Sequence, residues 1–412
     1  MTLRVLCTWL GLLLAAAGLT AQERPILLKA AKVHQGDGTV YAPGEVLIHK
    51  GKILAVGKAL KTPSGTRKLA FPHGEITAGM IDAAATGLTI ARSNPEATEV
   101  TPSARVLDCL DLTDRRFELL AREGVTTVGA SGPETSVIGP AIAVVKTGRS
   151  STNRVLIRAG SPEMNLTHGP TAGNGGPRSS GHSLFTRLPT SLMGVNFVAR
   201  EALGRARDLM ARDPRALAAD DDMRTLAAAL DRKLVLRVRG NEQHEMATGL
   251  RISKEFGFPL IFEGGIESWR LISELSEAKT AVILGPLSAP PRRRSVGLFG
   301  RRSGRGVRGR PTTATVLRKA KIPVALTAGS RRGAYGLAAQ VRTAMRHGLS
   351  FEDALQAVTV TPAKLLGVAD RVGTVTAGKD ADLIVWGGAP FGATSPMLKI
   401  FVSGESYEAR ID

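Results

Sequence analysis

The chain has 412 residues, with 55 Lys and Arg against 36 Asp and Glu, a formal net charge of +19. A chain of this length can bury a full core without disulfide staples, and its positive surplus bears on solubility and attraction to anions rather than on fold. Aromatic residues make up only 4%, which argues against a nucleic-acid reader built on stacked bases.

Residues 1–21 run from Arg4 through an apolar stretch, Val5 to Leu14, to small residues ending at Thr20-Ala21. That is the order of a secretory signal, and the run is shorter than the roughly 20 apolar residues a membrane span needs. The expectation is an exported protein, periplasmic or extracellular, with a mature N-terminus near Gln22 and no transmembrane segment in the mature chain. Cleavage removes Cys7 and leaves Cys109 alone, so no internal disulfide is expected.

Ala31–His34, Gly44–His49 and Lys52–Val56 read as short strands, punctuated by Gly36-Asp37-Gly38 and Lys50-Gly51-Lys52. Strand signals return at Gly373–Val375, Asp382–Trp386 and Leu398–Val402. Residues 22–75 and 372–412 are therefore expected to assemble one small β domain from both chain ends.

Between them, over 76–371, strands and helices alternate. Strand Ile76–Ala83, helix Asp114–Glu123 and strands Val125–Val128, Ala141–Lys146 and Val155–Arg158 come first, then helices Val195–Ala211 and Ala216–Leu230. Strands Leu234–Val238, Pro259–Glu263, Ala281–Leu284 and Pro323–Thr327 follow. They are separated by helices His244–Phe256, Ile266–Leu275 and Thr312–Ala320, and Tyr335–His347 closes the run. Such alternation implies a parallel sheet covered by helices, and its length suits a (β/α)8 barrel.

Two long loops interrupt the pattern, Thr167–Ser183 and Pro286–Pro311. The second holds Arg292, Arg293, Arg294, Arg301, Arg302, Arg305, Arg308 and Arg310 and no acidic residue. Its composition predicts an exposed, mobile, solvated loop; the other reading is an anion-binding strip that contacts an acidic polymer without base specificity.

Several segments resemble the amidohydrolase superfamily, in particular its imidazolonepropionase-like bacterial members. Ala78-Gly-Met-Ile-Asp82-Ala-Ala84-Ala-Thr86 is similar to the strand P-G-x-x-D-x-H-x-H, and Glu123-Gly-Val-Thr-Thr127 to the turn E-G-V-T-T. Ile138–Lys146 is similar to a Gly-rich strand ending in Lys, and Pro189–Gly194 to P-x-T-R-M-G with Leu192 in place of Arg. Thr361-Pro-Ala-Lys-Leu-Leu-Gly367 followed by Gly378-Lys-Asp-Ala-Asp-Leu383 resembles the closing signature. The resemblance implies a (β/α)8 TIM barrel with a β-sandwich formed by both chain ends.

It also implies metal chemistry. A bound metal makes hydroxide near neutral pH and polarises a carbonyl, and its ligands are imidazole nitrogens and carboxylate oxygens. The positions that match those ligands have lost them. The H-x-H pair falls on Ala84 and Thr86; H-x-H-R becomes Val238-Arg239-Gly240-Asn241-Glu242; E-H-G becomes Glu263-Gly264-Gly265; and the last-strand Asp falls on Gly329. Lys146 and Glu263 are the remaining catalytic candidates; packing or pairing is the plainer reading of Lys146, and a hydrogen-bonding role facing the barrel mouth that of Glu263.

Other imidazoles offer little. His34 and His49 read as surface or edge positions, His73 lies on the expected loop before the first barrel strand, His244 starts a helix, and His347 ends one before Gly348. His168 and His182 share the first long loop and are weak substitute ligands. The expectation is a catalytically degenerate, metal-free protein with no cofactor, acting as a ligand binder or as the partner of an active relative or of a second copy. An active hydrolase of amide or cyclic amide C–N bonds, with zinc in a rearranged site, is the alternative; a polyanion-binding surface protein is the third.

Overall fold

The computed structural model describes residues 24–90, 98–133, 136–149, 154–157, 159–166, 189, 191–287, 310–329 and 336–409. The N-terminal segment forms β1 (Ile26–His34), β2 (Val40–Tyr41), β3 (Gly44–His49), β4 (Lys52–Gly57) and β5 (Arg67–Ala78). The expected strand Ile76–Ala83 is two strands. Its first residues end β5, and the chain passes at Gly79 into β6 (Met80–Ala85). A Cβ at Gly79 would collide with the Thr126 side chain, so the crossing depends on bare backbone.

The barrel wall continues with β7 (Val125–Ala130), β8 (Ile138–Ala141), β9 (Ala143–Lys146), β10 (Val155–Ile157) and β11 (Pro162–Asn165). It is completed by β12 (Leu236–Gly240), β13 (Leu260–Gly264), β14 (Ala281–Leu284) and β15 (Val324–Leu326). The hydrogen-bonded orders are β10-β9-β7-β6 and β15-β14-β13-β12-β11-β8. Two wall strands depart from the all-parallel expectation: β8 and β9 run antiparallel to their neighbours β11 and β7. Among the described residues, no backbone ladder joins β15 to β6. Side chains bridge that seam instead. Thr327 Oγ1 donates to Asp82 Oδ1 at 2.6 Å, and the Ala328 amide donates to Asp82 Oδ2 at 3.1 Å.

Strand alternation sorts the wall's two faces. Val238, Phe262, Val282, Leu284, Val324 and Leu326 pack outward against the helices, while Ile261, Ala281, Ile283 and Ala325 line the inside. The expected helix Ala216–Leu230 is two helices, Pro214–Ala219 and Asp221–Leu230, because Asp220 leaves the helical conformation to cap the second through the Met223 amide.

The C-terminal strands β16 (Leu383–Trp386), β17 (Met397–Val402) and β18 (Glu405–Tyr407) join the N-terminal ones in the order β18-β17-β16-β5-β1-β3-β4, with β2 on β1. Leu28, Val46, Ile48, Ile76, Leu383 and Phe401 form the core of this second domain. Gly373–Val375, expected as a strand, is irregular; it makes one backbone bond, Val375 to Gln35, and pairs with no ladder. No described helix is long and apolar enough to cross a membrane.

Candidate functional site

β12 reads Leu-Arg-Val-Arg-Gly, so period-two alternation sends Arg237 and Arg239 to the inside of the barrel. Both are almost wholly buried, as are Glu163 on β11 and Glu263 on β13. Glu263 takes one arginine on each oxygen: Arg237 Nη2 lies 2.5 Å from Oε2, and Arg239 Nε lies 3.0 Å from Oε1 with its Nη2 on the same atom. Arg239 Nη2 also reaches Glu163 Oε1 at 3.3 Å, and the Gly132 amide donates to Glu163 Oε2 at 3.2 Å. Two guanidinium groups and two carboxylates thus interlock within the barrel.

The two carboxyls are driven apart. Burial pushes Glu163 up to about 7, aided by the charge of Glu263 and opposed by Arg239 and Arg237. Burial pushes Glu263 up as well, but Arg239 and Arg237 outweigh it and hold that carboxyl at about 2. Asp82 is raised by burial against the bonds it accepts from Thr327, Ala84 and Ala328.

Each position that matches a family ligand can now be placed. Ala84 is buried in β6, and Thr86 follows that strand with its hydroxyl oxygen buried and without a hydrogen-bond partner among the described residues. Asn241 follows β12, with its amide on Glu245 at 2.8 Å. Gly264 ends β13 with φ +93°, and a Cβ there would fall within contact distance of Asn241 Oδ1. Gly329 has φ +67° and sits against Pro286. These residues do not fit a catalytic zinc, which needs about three nitrogen, sulfur or oxygen donors with an open fourth position. One position is a fixed cation with no lone pair to give, and two have a left-handed backbone that strains any side chain. Among the described residues, no three His, Cys, Asp or Glu side chains converge where they could hold a metal ion.

Several candidates change place. Lys146 pairs rather than standing ready for catalysis: β9 runs antiparallel to β7 and sets Lys146 beside Thr127, near the start of the parallel strands. There its Nζ contacts Asp382 and lies 3.3 Å from Asp380, both carboxylates of the closing signature. Glu263 is saturated by arginine rather than open to the mouth. His34 is buried, not at the surface, with Nε2 2.6 Å from Glu75 Oε2, and His73 lies within β5 rather than on a loop. His168, His182 and Arg292–Arg308 lie outside the described residues. Arg310 is described: it is exposed, and its guanidinium carbon lies 4.1 Å from the Trp269 ring centroid.

Sequence reasoning missed Glu163 and Arg237. Glu163 sits on a strand bounded by Pro162 and Asn165, poor strand formers that hide it. Arg237 carried a usable signal, since two arginines two apart in an apolar strand must share a face.

A family model described as "Amidohydrolase family" matches residues 312–407. The amidohydrolase tasK of Hapsidospora irregularis is 23% identical over 405 residues, covering 90% of this chain and 40% of that protein. Imidazolonepropionase of Hahella chejuensis is 37% identical over 98 residues, 21% of this chain and 24% of that protein. The chain therefore spans less than half the length of these curated relatives. The crystal structure of an amidohydrolase from Thermotoga maritima MSB8 superposes with a TM-score of 0.79 at 26% identity, over 93% of this chain and all of that one. An adenosine deaminase from Xanthomonas campestris, solved with bound zinc, shares the fold at a TM-score of 0.51 and 16% identity, covering 93% of each chain.

Proposed function

Because the chain belongs to the amidohydrolase superfamily, we propose that it is an exported, non-hydrolytic member whose barrel holds a guanidinium–carboxylate lattice in place of a metal centre. The observation that carries this reading is Arg239. It occupies an imidazole position of the family pattern, and its charge is neutralised by Glu263 and Glu163 instead of being offered to a substrate. A divalent cation brought there would meet two guanidinium charges, and Glu263, the nearest strong carboxylate, is already engaged on both oxygens. What the barrel keeps is a rigid frame, suited to holding a ligand or to acting as a structural subunit.

Metal content tests the reading. Protein incubated with excess zinc and desalted is expected to retain well under one equivalent, and to show no metal-dependent hydrolysis of dipeptides, cyclic amides or lactones above a heat-denatured control. Near-stoichiometric zinc that disappears on replacing His168 and His182 would sink the proposal in favour of an active hydrolase with a rearranged site. Export is tested separately. Mass spectrometry of protein from the native host is expected to find no peptide from Thr2–Leu19, and such peptides in a cytoplasmic fraction would overturn that part.

A further inference from the structure

The helix Leu192–Arg212 carries the two most exposed large hydrophobic side chains among the described residues, Met193 at 82% and Phe197 at 66%. They are one turn apart, and steps of seven from Phe197 reach Gly204 and Ala211, so all four share one line along the helix. Gly204 stands mid-helix, where glycine is weaker than alanine, yet a Cβ there would meet nothing within 4 Å. Packing inside this chain therefore does not require the glycine. A shallow depression passes it between Arg200, Glu201, Asp208 and Arg212.

The charges nearest that line divide by sign: helical periodicity puts Glu201 and Asp208 on one side of Gly204 and Arg200 and Arg207 on the other. Arg205 and Arg212 lie further round beyond the acids, and Arg205 is paired with Asp220 at 3.0 Å. Arg200 pairs with Glu255 at 2.8 Å, and Arg207 lies over the Phe256 ring at 5.0 Å. Glu201 and Asp208 have no ion-pair partner among the described residues, although acids are outnumbered 36 to 55 in this chain.

We propose that this face is a homodimer interface in which two copies of the helix cross in parallel at Gly204 about a two-fold axis. In a parallel crossing, the acidic flank of one copy meets the basic flank of the other. Glu201 then lies beside Arg200 of the second copy, and Asp208 beside its Arg207. An antiparallel crossing sets Glu201 against Asp208 and Arg200 against Arg207, so like charges reject it. Bare backbone at Gly204 permits the close approach, and the contact covers the exposed Met193 and Phe197. A two-fold contact is self-complementary by construction, and this pattern of charge has that property. One helix face is a small contact, so the expected dissociation constant is on the order of micromolar.

Sedimentation of the full chain from about 1 to about 100 µM is expected to show a monomer–dimer equilibrium. In a Cys109→Ser background, Gly204→Cys is expected to cross-link to its own counterpart on mild oxidation. Mixed Phe197→Cys and Ala211→Cys chains, which would meet only in an antiparallel pair, are expected not to. Glu201→Arg with Asp208→Arg is expected to weaken association at least about tenfold, and mixing with an Arg200→Glu, Arg207→Glu chain to restore it as a heterodimer. A monomer throughout, a dimer that Gly204→Cys fails to trap, or a 197–211 cross-link would each overturn the proposal. So would a partner of different sequence on this face in native complexes. None of these outcomes depends on whether the barrel holds a metal.

Discussion

At Glu163 burial and charge pull against each other, and the balance sets how stability follows pH. Its folded carboxyl stands near 7, above an ordinary glutamate near 4.5, so between those values the folded state binds more protons than the unfolded one. Stability from this group is therefore full below about 4.5 and falls as pH rises toward 7, by on the order of 3 kcal/mol. Glu263 works in the opposite sense. Held at about 2 by its arginines, it contributes stability above about 4.5 that is lost as pH falls through 2. Denaturant unfolding across pH 4 to 8 is expected to show a decline on the neutral side that Glu163→Gln flattens. A variant that keeps the same slope would mean that another group causes it.

Among the elements, the joint between barrel and β domain rests on three buried charges. Lys146 at the end of β9 reaches Asp382 and Asp380, and Asp380 also binds Lys52 at 2.6 Å and Arg371 at 3.0 Å. Burial alone would raise the Asp380 carboxyl, but Lys146, Lys52 and Arg371 hold it below its usual range. Lys146→Met is expected to cost about 3–5 kcal/mol, because it leaves Asp382 buried with its cation gone. Lys29→Met, at a pair whose lysine is 47% exposed, should cost about 0–1 kcal/mol. Equal losses in the two would remove the joint from the account.

The alternation of strands and helices and the gathering of strands from both chain ends into one sheet were legible, because each depends on periodicity. The antiparallel β8–β9 was not, since direction within a sheet depends on which neighbour a strand finds. Glu163 was hidden for a related reason: a four-residue strand opened by proline carries too little pattern to announce itself.

For the whole molecule, the interlocked quartet makes the barrel interior a single unit. Arg239 cannot be changed alone, because Glu163 and Glu263 both lean on it. Arg239→His, at a position that matches an imidazole of the family pattern, removes the guanidinium that both buried carboxylates bind and leaves Glu263 with Arg237 alone. Removing one partner of such a pair costs about 3–5 kcal/mol, against a total stability of about 5–15 kcal/mol for a typical domain. Steps at Gly264 and Gly329 meet a second obstacle, since both positions have left-handed backbone. Single changes at these three positions thus run downhill in stability before any ligand is gained. The lattice acts as a ratchet: one-at-a-time mutation at Arg239, Gly264 or Gly329 keeps the barrel interior where it is.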